Sequence, residues 1–85
     1  MLLQKNAMQR EPLSSPNIIS VGYDEEELIL EIEFDQGEIH DYLGVPADKY
    51  GALMQAESPD SYFNHNIRGL YEYRDRGESN RSQPA

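Results

Sequence analysis

The sequence predicts an α+β domain, a three-stranded antiparallel meander (β-β-β-α-α) with two short helices packed on one face. Three observations carry this prediction. Apolar side chains recur with period two between Ile18 and Leu43, the pattern stops at Leu43-Gly44-Val45-Pro46, and from Tyr50 onward apolar residues recur at helical spacing.

In the first strand, Ile18 to Tyr23, alternation puts Ile19, Val21 and Tyr23 on one face. The acidic segment Asp24-Glu25-Glu26-Glu27 makes a solvated turn into Leu28–Phe34. There Leu28, Leu30, Ile32 and Phe34 share one face, Glu31 and Glu33 point to the other, and Ile29 is a lone apolar residue among the glutamates. Asp35-Gln36-Gly37 is a second turn, with a glycine free to take positive φ, and Glu38–Leu43 is the third strand. A helix should begin near Pro46, where a missing N–H costs nothing, and end by Ala56 or Glu57, since Ser58-Pro59 restarts the chain. Ser58 caps the second helix, Pro59 takes its first position, Asp60 suits the positive end of its dipole, and Gly69 ends it. A sheet of this size cannot hide its apolar face alone, so both helices should cover it. The expected core is Ile19, Val21, Leu28, Leu30, Ile32 and Phe34 from the sheet, with Val45, Tyr50, Leu53, Phe63 and Ile67 from the helical half.

Flanking segments 1–13 and 75–85 lack a sustained apolar period and are expected to be flexible tails around a domain at 14–74. At 85 residues there is room for one domain, and with no cysteine it has neither disulfides nor thiolate zinc sites to reinforce it. No apolar run approaches the roughly 18 to 20 residues that span a bilayer, and Met1-Leu2-Leu3-Gln4-Lys5 leads into polar residues rather than a signal-peptide core. A cytoplasmic protein with no membrane partner is the expectation. Net charge is −9, and between Ser14 and Arg74 three basic residues stand against thirteen acidic ones, a formal −10. Binding to an extended polyanion is driven by Lys and Arg displacing counterions, so this balance disfavours a long nucleic-acid groove. Arg74, Arg76 and Arg81 are a candidate basic arm at the C-terminal end.

Several short motifs occur in a fixed order: Ser14-Ser15, Val21-Gly22-Tyr23-Asp24, Phe34 with Gly37, and Tyr42-Leu43-Gly44-Val45-Pro46. Tyr50, Leu53, Ala56-Glu57-Ser58 and Tyr62-Phe63-Asn64-His65-Asn66-Ile67-Arg68 follow. In this order and spacing the segment Ser14–Tyr73 resembles the KTSC domain family, found at the C-terminus of some lysyl-tRNA synthetases and as a free-standing bacterial protein. That association implies RNA as a candidate partner; the family carries no assigned activity. Two departures stand out. The family's Tyr-x-Tyr is here His40-Asp41-Tyr42, and Pro59-Asp60 replaces the glycine common after the serine.

His40 and Tyr42, at i and i+2, project to one side of their strand, while Asn64, His65 and Arg68 lie about one helical turn apart. Together they are the candidate ligand site: a tyrosine ring stacks on a base, asparagine reads donors and acceptors, and arginine holds a phosphate or carboxylate. The structural alternative is that Tyr42 spaces sheet from helix and that Asn64 and Arg68 serve local bonds. Catalysis finds no recognisable motif, and adjacent His40 and Asp41 face opposite sides of a strand. His40 and His65 with an acid lack metal-ligand spacing, and no glycine loop cradles phosphate. The expected function is therefore a small non-enzymatic binding module for RNA or a nucleotide-like anionic ligand, without cofactor or metal. The alternative is an acidic protein-interaction module or inhibitor, docking on a basic partner surface through residues such as Glu31 and Glu33.

Overall fold

The computed structural model describes residues 10–78. Its element order is β1 (Arg10–Pro12), β2 (Ile18–Asp24), β3 (Ile29–Phe34), β4 (Glu38–Leu43), α1 (Ala47–Gln55), α2 (Pro59–Asn66) and β5 (Tyr73–Glu78). One antiparallel sheet runs β1-β2-β3-β4-β5, so each strand lies beside its nearest neighbour in sequence among the strands. The α+β class holds, but the sheet has five strands rather than three. β1 falls in the expected N-terminal tail, while β5 begins at the end of the expected domain, at Tyr73 and Arg74, and runs on into the expected C-terminal tail. Arg10-Glu11-Pro12 and Tyr73-Arg74-Asp75-Arg76-Gly77-Glu78 show no clear apolar alternation, because each sits at a sheet edge and is held by pairing and charge. The remaining tail residues, 1–9 and 79–85, lie outside the described residues, as does Arg81 of the candidate basic arm.

Local chemistry explains the turns. Asp24 Oδ1 accepts from the backbone N–H groups of Glu26 and Glu27 at 3.0 and 3.1 Å, closing the acidic turn with its own side chain. Leu28 completes that turn at φ 59°, a left-handed conformation rare outside glycine, and is 41% exposed. It was expected in the core; the strand instead starts at Ile29 because the turn consumes Leu28. At the second turn Gly37 takes φ 101°, and its N–H bonds the Phe34 carbonyl at 2.8 Å. Pro46 is the N-cap of α1, and Ser58 Oγ accepts from Ser61 N–H at 3.3 Å to cap α2, with Pro59 at its first position.

Helices α1 and α2 cover one face of the sheet. Ile18, Val21, Leu30, Ile32 and Tyr42 from the strands meet Val45, Leu53, Phe63 and Ile67, with Phe34 and Tyr50 partly buried against them. Ile18 replaces the expected Ile19. Ile18 pairs with Phe34, yet Ser20 pairs with Glu33, so β2 carries one extra residue and its alternation shifts by one before Val21 meets Ile32. Among the described residues no helix is long and apolar enough to cross a membrane.

The opposite face carries a second correction. Glu31 and Glu33, expected on a solvated face, are buried together with Ser20 and Asp41. Arg10 Nη1 bonds Glu31 Oε1 at 2.9 Å and its Nε donates to Ser20 Oγ at 3.1 Å, while Ser20 Oγ donates to Glu33 Oε1 at 2.7 Å. From β5, Arg76 Nη1 bonds Asp41 Oδ2 at 2.8 Å and Arg74 Nη2 lies 3.7 Å from the same atom. Arginines from both edge strands thus fold over the carboxylates at the centre of the sheet. Asp41, as its register requires, faces away from His40.

Candidate functional site

Alternation along β4 sends His40 and Tyr42 toward the helices, and pairing sets Tyr73 of β5 opposite Tyr42. Their rings form a continuous aromatic wall. His40 stacks on Tyr73 at 4.4 Å and 24°, Tyr42 meets Tyr73 at 5.2 Å, and Phe63 of α2 stands edge-on to Tyr42 at 5.3 Å and to Phe34 at 5.7 Å. Asn64 lies on α2 and Arg68 in the turn just after its C-cap Ile67, and Arg68 Nη1 donates to Asn64 Oδ1 at 3.2 Å.

Between this wall, α2 and the β3–β4 turn lies a cavity of about 280 Å³, at the small end of the ~300–1,000 Å³ usual for ligand pockets. Four of the five residues singled out from sequence line it: His40, Tyr42, Asn64 and Arg68. His65 does not. It follows Asn64 by one residue, about 100° round the helix, and its Nδ1–H donates to the Ser61 carbonyl at 2.9 Å on an exposed face. Tyr73 also lines the cavity and escaped sequence reasoning, since its strand carries no apolar period.

Tyr42 is both core and lining, with 4% of its surface exposed. Burial, reinforced by Tyr73 and opposed by Arg68, pushes its phenol up to about 12, so it stays a neutral O–H at ordinary pH. His40 Nε2 lies 3.4 Å from Glu38 Oε1, and its Nδ1 is buried without a hydrogen-bond partner. Asp60 ties the wall's far side together. Its Oδ1 accepts from Ser15 Oγ at 2.6 Å, and its Oδ2 accepts from the Asn17 backbone N–H and Nδ2 at 3.1 and 2.7 Å. The residue that departs from the family glycine position thus staples the loop before β2 to the start of α2. Among the described residues no cluster of three or more His, Asp or Glu is arranged to hold a metal ion.

The KTSC domain model matches residues 14–73. The chain belongs to the KTSC domain family. An uncharacterized protein of Stutzerimonas stutzeri is 42% identical to it over 57 residues, covering 67% of this chain and 80% of that protein. A crystal structure of a KTSC domain protein from Yersinia pestis superposes with a TM-score of 0.79 at 43% identity, covering 84% of this chain and all of that one. The KTSC match begins after β1 and ends at the first residue of β5, so most of the outer strand pairing lies beyond the matched segment.

Proposed function

We propose that this KTSC domain is a small non-enzymatic binding module that holds a nucleotide-like anionic ligand, free or at the end of an RNA, in the cavity beside β4, β5 and α2. Arg68 is the observation that carries this reading. Of the four arginines among the described residues, Arg10, Arg74 and Arg76 each have a carboxylate oxygen within 2.8 to 3.7 Å, whereas Arg68 bonds only the neutral Asn64. In a chain of charge −9, an unneutralised guanidinium at the mouth of an aromatic cavity is suited to an anionic group supplied from outside. Tyr73, half exposed beside it, offers a stacking surface for a flat ring. The cavity has room for about one base, which agrees with a chain too acidic for a long phosphate track.

The experiment is native mass spectrometry of the folded protein as purified, alongside Arg68→Ala. A nucleotide or short RNA carried by the wild type and lost from a normally folded variant supports the reading. Equal loading of both proteins, or a protein as the bound species, opposes it.

The acidic docking alternative has less to draw on, because Glu31 and Glu33 lie beneath Arg10. Among its remaining exposed acids is the cluster around Tyr23, whose phenol is pushed up by burial and then by the charges of Glu25, Asp24 and Asp48.

A further inference from the structure

The two ends of the cavity differ in kind. Arg68 stands at the α2 end as a pure donor. Three carboxylates also belong to the lining, Asp35, Glu38 and Asp60. Asp60 is consumed by Ser15 and Asn17, which bond both of its oxygens. Asp35 has no side-chain partner among the described residues, and Glu38 has only His40 Nε2 at 3.4 Å. The β3–β4 turn therefore presents acceptors to the cavity, and a ligand that is anionic throughout would be repelled there. An occupant that satisfies both ends carries N–H donors on one side, an anion on the other and a flat ring between them.

Resting on the reading of the cavity as a nucleotide site, we propose that it selects guanine, with the guanine Watson–Crick edge toward Glu38 and Asp35 and the phosphate at Arg68. Guanine alone among the four RNA bases presents two adjacent donors on that edge, N1–H and the exocyclic N2 amine. Adenine, cytosine and uracil each turn at least one acceptor toward the same carboxylates. An acceptor facing a carboxylate leaves both without a hydrogen-bond partner, so rejection comes from this end of the cavity and affinity from the rings and Arg68.

The test is calorimetric titration of the full chain with 5′-GMP, 5′-AMP, 5′-CMP, 5′-UMP and 5′-IMP at one fixed salt concentration. GMP is expected to bind about tenfold more tightly than AMP, the size of discrimination one good two-pronged base contact supplies. IMP, which lacks the N2 amine, should fall between them. The double substitution Asp35→Asn with Glu38→Gln should abolish the preference for GMP while binding persists, and Arg68→Ala should weaken every nucleotide alike. Equal affinities in the wild type, or a guanine preference that survives the double substitution, overturn the guanine assignment and leave the Arg68 reading standing. Absence of binding by every mononucleotide and by a short guanosine-ended RNA overturns both. Where that RNA binds more tightly than GMP, the natural source is a strand end, and where GMP binds more tightly it is the free nucleotide; the guanine assignment holds in either case.

Discussion

Arg76 on the edge strand β5 donates a 2.8 Å hydrogen bond to Asp41 Oδ2 on β4, across 35 residues of chain. Asp41 is 1% exposed, and its other oxygen, Oδ1, has no hydrogen-bond partner. The bond thus attaches an edge strand lacking an apolar pattern to the centre of the sheet. Arg76→Ala should lower stability by about 1–3 kcal/mol, the cost of depriving a buried acceptor of its donor. Urea midpoints measure this, and amide exchange should quicken along Tyr73–Glu78 before it does in β3.

Glu31 faces Asp41 across β3 and β4. Burial, then the contact with Asp41, raises the Glu31 carboxyl above its ordinary 4.5 despite Arg10. A carboxyl raised in the folded state contributes stability that is full below its ordinary pKa and is lost as pH climbs through the raised one. Wild-type stability, measured relative to Glu31→Gln, should therefore fall as pH rises from below 4.5 toward neutrality. A difference between the two urea midpoints that stays constant over this range would contradict the arrangement.

The extra residue in β2 makes two adjacent isoleucines unequal. Ile18 is fully buried in the core, and Ile19 is half-buried outside the core cluster. Ile18→Ala should cost about 2–5 kcal/mol, in the range of large core truncations, and Ile19→Ala clearly less. Denaturant unfolding of the two variants side by side decides it, and the reverse order would restore the simple alternation.

That pair shows where the fold was legible and where it was not. Helix starts could be read because their signals are local: Pro46 opens α1, and Ser58 with Pro59 opens α2, whereas α2 closes at Asn66, before the expected Gly69. His40 with Tyr42 met in one cavity because i, i+2 on a strand defines a face, and Asn64 joins Arg68 there because the turn closing α2 lets the guanidinium reach back to the amide. Ile18 and Ile19 are chemically equivalent, so no pattern reveals which one the bulge turns inward. Leu28 fits a strand by hydrophobicity but is claimed by the turn that Asp24 caps. β1 and β5 were missed, and Tyr73 with them, because their attachment rests on Arg10 and Arg76 reaching distant carboxylates.

Tyr42 offers an alkaline signature of the cavity wall. Its phenol is pushed from 10.0 up to about 12, so the stability it contributes is lost as pH rises through that interval. Phenolate absorbance should show late-titrating components among the six tyrosines from Tyr42 and Tyr23, and Tyr42→Phe should remove the one near 12 while leaving that of Tyr23.

The central claim concerns which face binds, and an amide chemical-shift map of the full chain titrated with a nucleoside monophosphate tests it most directly. The account predicts shifts concentrated at His40, Tyr42, Asn64, Arg68 and Tyr73, absent from Arg68→Ala at the same ligand concentration. Shifts centred instead on Arg10, Arg74 and Arg76 across the opposite face, or unchanged by loss of Arg68, would contradict it.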